Sequence, residues 1–120
     1  MSKKILIVDD AAFMRTVLRN VFESNGYEVV GEASNGKEAL DQYEKVSPDL
    51  VTMDITMPEV NGIEGCRQIT EKHPNAVVVM CTAMGQKAMV IDAIKAGAKD
   101  FIVKPFESTK ILEVVQKLCG

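Results

Sequence analysis

Five short apolar runs alternate with five longer amphipathic stretches along this chain. The runs are 4–9, 28–33, 49–54, 77–82 and 100–104, all rich in Val and Ile. The first, third and fourth are almost continuously apolar, as expected of parallel strands covered on both faces. The stretches 12–25, 36–46, 62–73, 85–97 and 107–118 read as helices. In the first of them Phe13, Val17 and Val21, with Leu18 and Phe22, form a helical stripe, as do Ile111, Val114, Val115 and Leu118 in the last. Gly26, Gly36, Gly62 and Gly97 stand at helix ends or turns, where a positive φ or a cap is needed. Pro48, Pro58 and Pro74 fall in connections. Regular strand–helix alternation with short loops predicts one α/β domain over residues 1–120. Its core is a doubly wound parallel sheet of five strands, with five helices and right-handed crossovers.

Composition narrows the function classes. The chain has 120 residues, enough for one core, and 47% of them are hydrophobic, too many for a disordered chain. A net charge of −3 argues against a nucleic-acid partner. No run approaches the ~18–20 apolar residues of a membrane span. The first apolar run, Ile5 to Val8, is too short for a signal peptide and leads straight into two acids, which points to a cytoplasmic protein. Cys66, Cys81 and Cys119 are odd in number and widely spaced, so neither a disulfide framework nor a zinc site is suggested. Cys81 ends an apolar run and reads as a small core residue.

The chemistry sits where the strands end. Asp9 and Asp10 close the first run, Asp54 the third, and Lys104-Pro105 the fifth. In an open parallel sheet, functional groups gather outside the carboxyl ends of the strands. Three carboxylates against one ammonium call for a divalent cation. Mg²⁺, or Mn²⁺ in its place, takes hard oxygen ligands, keeps several waters and binds through one or two carboxylates plus a phosphate. Asp10 and Asp54 would supply the carboxylates, with Asp9 holding a metal-bound water. The plainer reading is a helix N-cap, but one cap needs only one acid. Beside a cation, Asp54 becomes a competent nucleophile toward phosphorus. Lys104 can pair with an aspartate or with its phosphoryl oxygens, and a cis bond to Pro105 would fix its direction. Thr82, at the end of the fourth strand, can donate its hydroxyl to a phosphoryl oxygen, or be a plain β-branched strand residue. Phe101 is by default a core aromatic. His73, the only histidine, precedes Pro74 at a helix end and is given no catalytic role.

Asp9-Asp10, Asp54, Thr82 and Lys104-Pro105, in this order and spacing, resemble the receiver domains of bacterial response regulators. The resemblance covers essentially the whole chain. The segments Val8 to Arg15, Met53 to Pro58 and Ala83 to Gln86 are most similar to chemotaxis receivers of thermophilic and Gram-positive-type lineages. The resemblance implies a flavodoxin-like sheet of strand order 2-1-3-4-5. It implies a phosphoacceptor at Asp54 and a cation held by Asp10, Asp54 and the Thr56 main-chain carbonyl, with Asp9 acting through water. Lys104 and Thr82 would engage the phosphoryl group, and Phe101 would be the aromatic that moves inward with Thr82. Enteric members carry Tyr at the Phe101 position, Asn at Thr56 and an acid at Met84. Readout here would therefore come from ring burial alone, and phosphoryl lifetime cannot be carried over. The implied protein is a signalling phosphoacceptor rather than an enzyme, one that assists its own phosphorylation and dephosphorylation. Its implied partners are a chemotaxis-type histidine kinase, the flagellar motor switch protein and a dedicated phosphatase, around a monomer.

Two other classes need residues that this chain lacks. A haloacid-dehalogenase-type phosphatase needs a second Asp two residues after the nucleophile, where this chain has Thr56. A flavodoxin-like FMN carrier needs a Gly/Ser/Thr-rich phosphate loop after the first strand, where this chain has two acids. A stand-alone receiver in a phosphorelay or sporulation pathway would differ only in its output partner. The helix over 85–97 carries seven apolar residues, more than a surface stripe needs. Either it is buried deeper than usual or some of that surface is exposed as a contact site. Lys87, Val90 and Ile94 share one side at i, i+3 and i+7, with Val103 at their border. By the resemblance, a short amphipathic partner segment docks there.

Overall fold

A computed structural model describes residues 3–55, 61–83, 87–104 and 107–119, with Ala83 and Lys87 described by backbone alone. The elements run β1 (Lys4–Val8), α1 (Ala12–Glu23), β2 (Glu28–Ala33), α2 (Gly36–Val46), β3 (Leu50–Asp54), α3 (Gly62–Lys72), β4 (Val78–Ala83), α4 (Lys87–Lys95), β5 (Asp100–Lys104) and α5 (Ser108–Cys119). All five strands lie parallel in one sheet of order β2-β1-β3-β4-β5. Three of the four strand pairings join strands that are neighbours in sequence. Only β1 and β3, in register from Ile5 opposite Leu50 to Val8 opposite Met53, join strands that are not.

Alternation along each strand divides the core into two layers. Ile5, Ile7, Leu50, Val79 and Ile102 pack under Leu18 and Phe22 of α1 and Ile111, Val114 and Val115 of α5. Leu6, Val8, Val51, Met53, Val78 and Met80 pack under Ala39 of α2, Cys66 and Ile69 of α3 and Ala93 of α4. Both faces of the central strands are therefore sealed, which is why these runs are almost wholly apolar.

The α1 stripe is not the expected one. Phe13 is 77% exposed, while Leu18 and Phe22 are buried and Met14 and Val21 pack against them. The contact line runs at i, i+4, i+7 and i+8 from Met14. Phe13 lies one residue, ~100°, off that line. Phe101 is also corrected as a core aromatic. It is 38% exposed because β5 is an edge strand.

Asn35 and Asn61 cap α2 and α3, accepting from the amides of Glu38 (2.9 Å) and Glu64 (3.0 Å). These caps are side-chain acceptors for helix amides that have no partner of their own. Gly36 and Gly62 are thus the first helical residues after caps. Gly26 (φ 87°) and Gly97 (φ 116°) do take the left-handed conformation.

Candidate functional site

Sheet register builds the site. Val8 pairs with Met53, so the next residues, Asp9 and Asp54, leave β1 and β3 side by side. Asp54 pairs with Cys81 on β4, and Ala83 pairs with Lys104 on β5. Asp9, Asp10 and Asp54 each offer a carboxylate oxygen, and these oxygens all lie within 4.8 Å of one another. The Lys104 ammonium stands 3.2 Å from Asp54 Oδ1 and 3.4 Å from Asp9 Oδ2.

The three acids differ in freedom. Asp9 is buried, and its Oδ1 accepts the Ala11 amide at 2.9 Å. Asp10 is exposed, and Asp54 is buried at the sheet edge. Neither Asp9 nor Asp10 caps α1: Ala11 is at the N-cap, with no side-chain cap bond. The doublet is therefore not explained by the helix it precedes.

Electrostatics follow from this crowding. Burial pushes the Asp54 carboxyl above its ordinary value, and Asp9 and Asp10 push it further, while Lys104 pulls it back. Burial pulls the Lys104 ammonium down, but Asp54 and Asp9 outweigh burial and hold it above its ordinary value. With Lys104 protonated and the three carboxylates ionised, the cluster keeps two uncompensated negative charges. Hard oxygen donors, close spacing and that charge fit Mg²⁺ or Mn²⁺. Beneath them, burial pushes the Cys81 thiol up to about 12, so it stays protonated and unreactive.

Thr82 is buried on β4 opposite Val103, and Phe101 lies opposite Met80. Thr82, Phe101 and Val103 therefore share the sheet face that α3 and α4 cover, opposite the face where Ile102 packs. On α4, Ala93 is buried and Met89 packs on the core, whereas Ile91 is 50% and Ile94 45% exposed. Val90 is half-buried. Thr56, Met84, Pro105 and the Lys87 side chain lie outside the described residues.

Two residues in contact with the site are not among those the sequence assigns to it. Arg15 donates from Nη1 to the Asp9 main-chain carbonyl at 2.6 Å. Gly62 donates its amide to the Ile55 carbonyl at 2.8 Å and lies against the Asp54 backbone. The signal for Gly62 was its place after Asn61, where the cap brings the helix start down onto the strand end. Arg15 carried no comparable signal, since its partners lie on another strand and on the main chain.

Comparison with known proteins agrees with this architecture. Residues 5–116 match the response regulator receiver domain. The chain is similar to the chemotaxis protein CheY of Thermotoga maritima, with 58% identity over 98% of each chain. It is similar to that of Bacillus subtilis at 56%, again over 98% of each. Among solved structures it resembles the CheX–CheY–BeF₃–Mg²⁺ complex of Borrelia burgdorferi, with a TM-score of 0.91 and 38% identity over 98% of this chain and 90% of that one. A family match over residues 5–116, identities of 56–58% over nearly the whole chain and a TM-score of 0.91 lead to one conclusion: this chain belongs to the response regulator receiver domain family.

Proposed function

We propose that this chain is the response regulator of a chemotaxis two-component pathway, and that it takes a phosphoryl group on Asp54. One observation carries the reading: the Asp54 carboxylate stands at a strand end between two further carboxylates and the Lys104 ammonium. The relatives named for chemotaxis support the pathway. The reaction is a group transfer. An Asp54 carboxylate oxygen attacks phosphorus, a P–O bond forms, and the P–N bond of a donor phosphohistidine breaks, its electron pair returning to the imidazole. The Lys104 ammonium neutralises oxygens on the transferred group. Mg²⁺ held by Asp10, Asp54 and the Thr56 carbonyl, with Asp9 acting through water, would offset repulsion between carboxylate and phosphate. The Thr82 hydroxyl meets the new phosphoryl oxygens from the face it shares with Phe101. The donor in this reading is a chemotaxis-type kinase in the cytoplasm, and the protein acts as a monomer that modulates its own phosphorylation and dephosphorylation. The CheX in the Borrelia complex motivates a dedicated phosphatase as a further partner. Mixing the protein with acetyl phosphate and Mg²⁺ is expected to add one phosphoryl group by mass, and excess chelator to prevent it. An equal gain in chelator would remove the cation from the reading.

The output surface in this reading is the exposed apolar rim of α4 and β5: Ile91, Ile94, Phe101 and Val103, beside Val90 and Lys87. A short amphipathic segment of the motor switch protein docks there, more tightly after phosphorylation. Ile94→Asp is expected to weaken docking at least about tenfold, the ~1.4 kcal/mol of part of one buried isoleucine. Phosphorylation by acetyl phosphate stays intact, because Ile94 belongs to exposed α4 surface and not to the cluster of Asp9, Asp10, Asp54 and Lys104. Calorimetric titration of a switch-protein peptide against the BeF₃-loaded variant decides it. Wild-type affinity there would move the interface to another face.

A further inference from the structure

We propose that Arg15 is a positioning residue for the cation-binding carboxylates: it holds the turn that carries Asp9 and Asp10 by the Asp9 main-chain carbonyl. This inference rests on the metal reading of the site given above. Arg15 lies in α1, six residues after Asp9, and its guanidinium is used in two directions. Nη1 donates to the Asp9 carbonyl at 2.6 Å, and Nε donates to Glu32 Oε1 on β2 at 3.0 Å. Glu32 is itself fixed, because Oε2 accepts Arg19 Nε at 2.8 Å and lies 2.7 Å from Arg19 Nη2. Burial pushes the Glu32 carboxyl up, but the two arginines outweigh burial and keep it below its ordinary value. The strut therefore runs from an edge strand, through a planar fork, to the peptide that joins the two acids. A planar guanidinium with charge-assisted bonds suits this use, since its donors are fixed relative to one another.

Asp9 is consequently held at every polar atom. Its amide donates to the Ala33 carbonyl at 3.0 Å, its carbonyl accepts Arg15, Oδ1 accepts the Ala11 amide, and Oδ2 faces Lys104. The exposed Asp10 follows directly on the pinned peptide, so its carboxylate takes its direction from a plane that Arg15 fixes. Partners that orient metal ligands in this way commonly govern affinity nearly as strongly as the ligands do.

Two physical effects give opposite signs here, which makes the proposal testable. Arg15 carries a positive charge near a cation site. Coulomb's law alone says that removing it tightens Mg²⁺ binding. Positioning says that removing it weakens binding. The experiment is calorimetric titration of Mg²⁺ into the full chain, at a temperature where circular dichroism shows each variant folded. Arg15→Met is expected to bind Mg²⁺ about tenfold more weakly than wild type, the lower end of the range for partners of metal ligands. Arg15→Lys is expected to weaken it to a similar degree, because an ammonium keeps the charge but not the two-way fork. Unchanged or tighter binding by Arg15→Met overturns the proposal, and so does wild-type affinity in Arg15→Lys, which would leave charge as the only contribution. Should Arg15→Met not fold, Arg19→Met, which frees the Glu32 anchor and keeps Arg15, decides in its place. Weaker Mg²⁺ binding there, against the tighter binding that charge alone predicts, supports positioning, and no loss overturns it. If wild type itself takes up no Mg²⁺, the metal reading fails and the inference falls with it. Wild-type uptake with unaffected variants overturns the inference alone.

Discussion

Asp54→Asn is expected to gain no phosphoryl group from acetyl phosphate and Mg²⁺, where the proposed reaction gives wild type one. An amide oxygen has neither the charge nor the nucleophilicity of a carboxylate. Asp9 does not replace it, since it is buried with one oxygen on the Ala11 amide and the other facing Lys104. A labelled variant, seen by mass, would take Asp54 out of the role. The same substitution has an opposite effect on stability. Burial, then Asp9, raises the Asp54 carboxyl above its ordinary value of 3.8. Folding therefore favours its protonated form, and metal-free stability falls as pH rises from that value through the raised one. At neutral pH the wild-type site bears this cost in full, and asparagine does not. Metal-free Asp54→Asn is expected to melt above wild type at neutral pH. The gap should close as pH falls below the carboxylate range. Lys104 tempers the gain, because it loses one of two carboxylate neighbours. A variant that melts below wild type at neutral pH would show that the lysine pairing outweighs the crowding.

Gly62→Ala is expected to damage the fold, although alanine is the better helix former. Propensity alone would stabilise α3 by up to ~1 kcal/mol, less in a first turn. A Cβ at Gly62, however, would sit 1.9 Å from the Asp54 carbonyl oxygen and 2.9 Å from Ile55 Cα. Both are main-chain atoms at the end of a central strand, so no rotamer change relieves the overlap. Overpacking of this kind costs about 1–3 kcal/mol or more. We expect a net loss of about 3 kcal/mol, which lowers the midpoint of a domain this size by roughly 10 °C. The atoms that must yield are those carrying Asp54, the proposed phosphoacceptor, so phosphorylation of the folded fraction should slow as well. Thermal denaturation with a wild-type midpoint would mean that α3 shifts freely away from β3.

The strands and helices were legible because their two periods, apolar runs and amphipathic stripes, are written residue by residue. So were Asp9, Asp10, Asp54 and Lys104, because a polar residue that ends an apolar run must emerge at the sheet's carboxyl edge. Periodicity carries no information on where a covering layer stops. Hence Phe13 and Phe101 were read as core, although one lies off the α1 contact line and the other on an edge strand. The Asn35–Glu38 and Asn61–Glu64 spacings were readable as caps but are weak beside a glycine. The Arg15–Glu32 contact spans 17 residues and two elements, and depends on β2 pairing with β1. No local pattern encodes that.

The lone pairing between strands that are not neighbours in sequence has a mechanical consequence. The β1–β3 ladder is the seam where residues 3–46 meet residues 50–119, and the rest of the sheet closes within one half or the other. Asp9 and Asp10 belong to the first half, and Asp54 and Lys104 to the second. An ion or phosphoryl group shared among them is therefore also a rivet across the seam. Whatever occupies the site ties the two halves together at the strand pairing of longest sequence separation in the sheet, the non-local kind of contact that is slow to form.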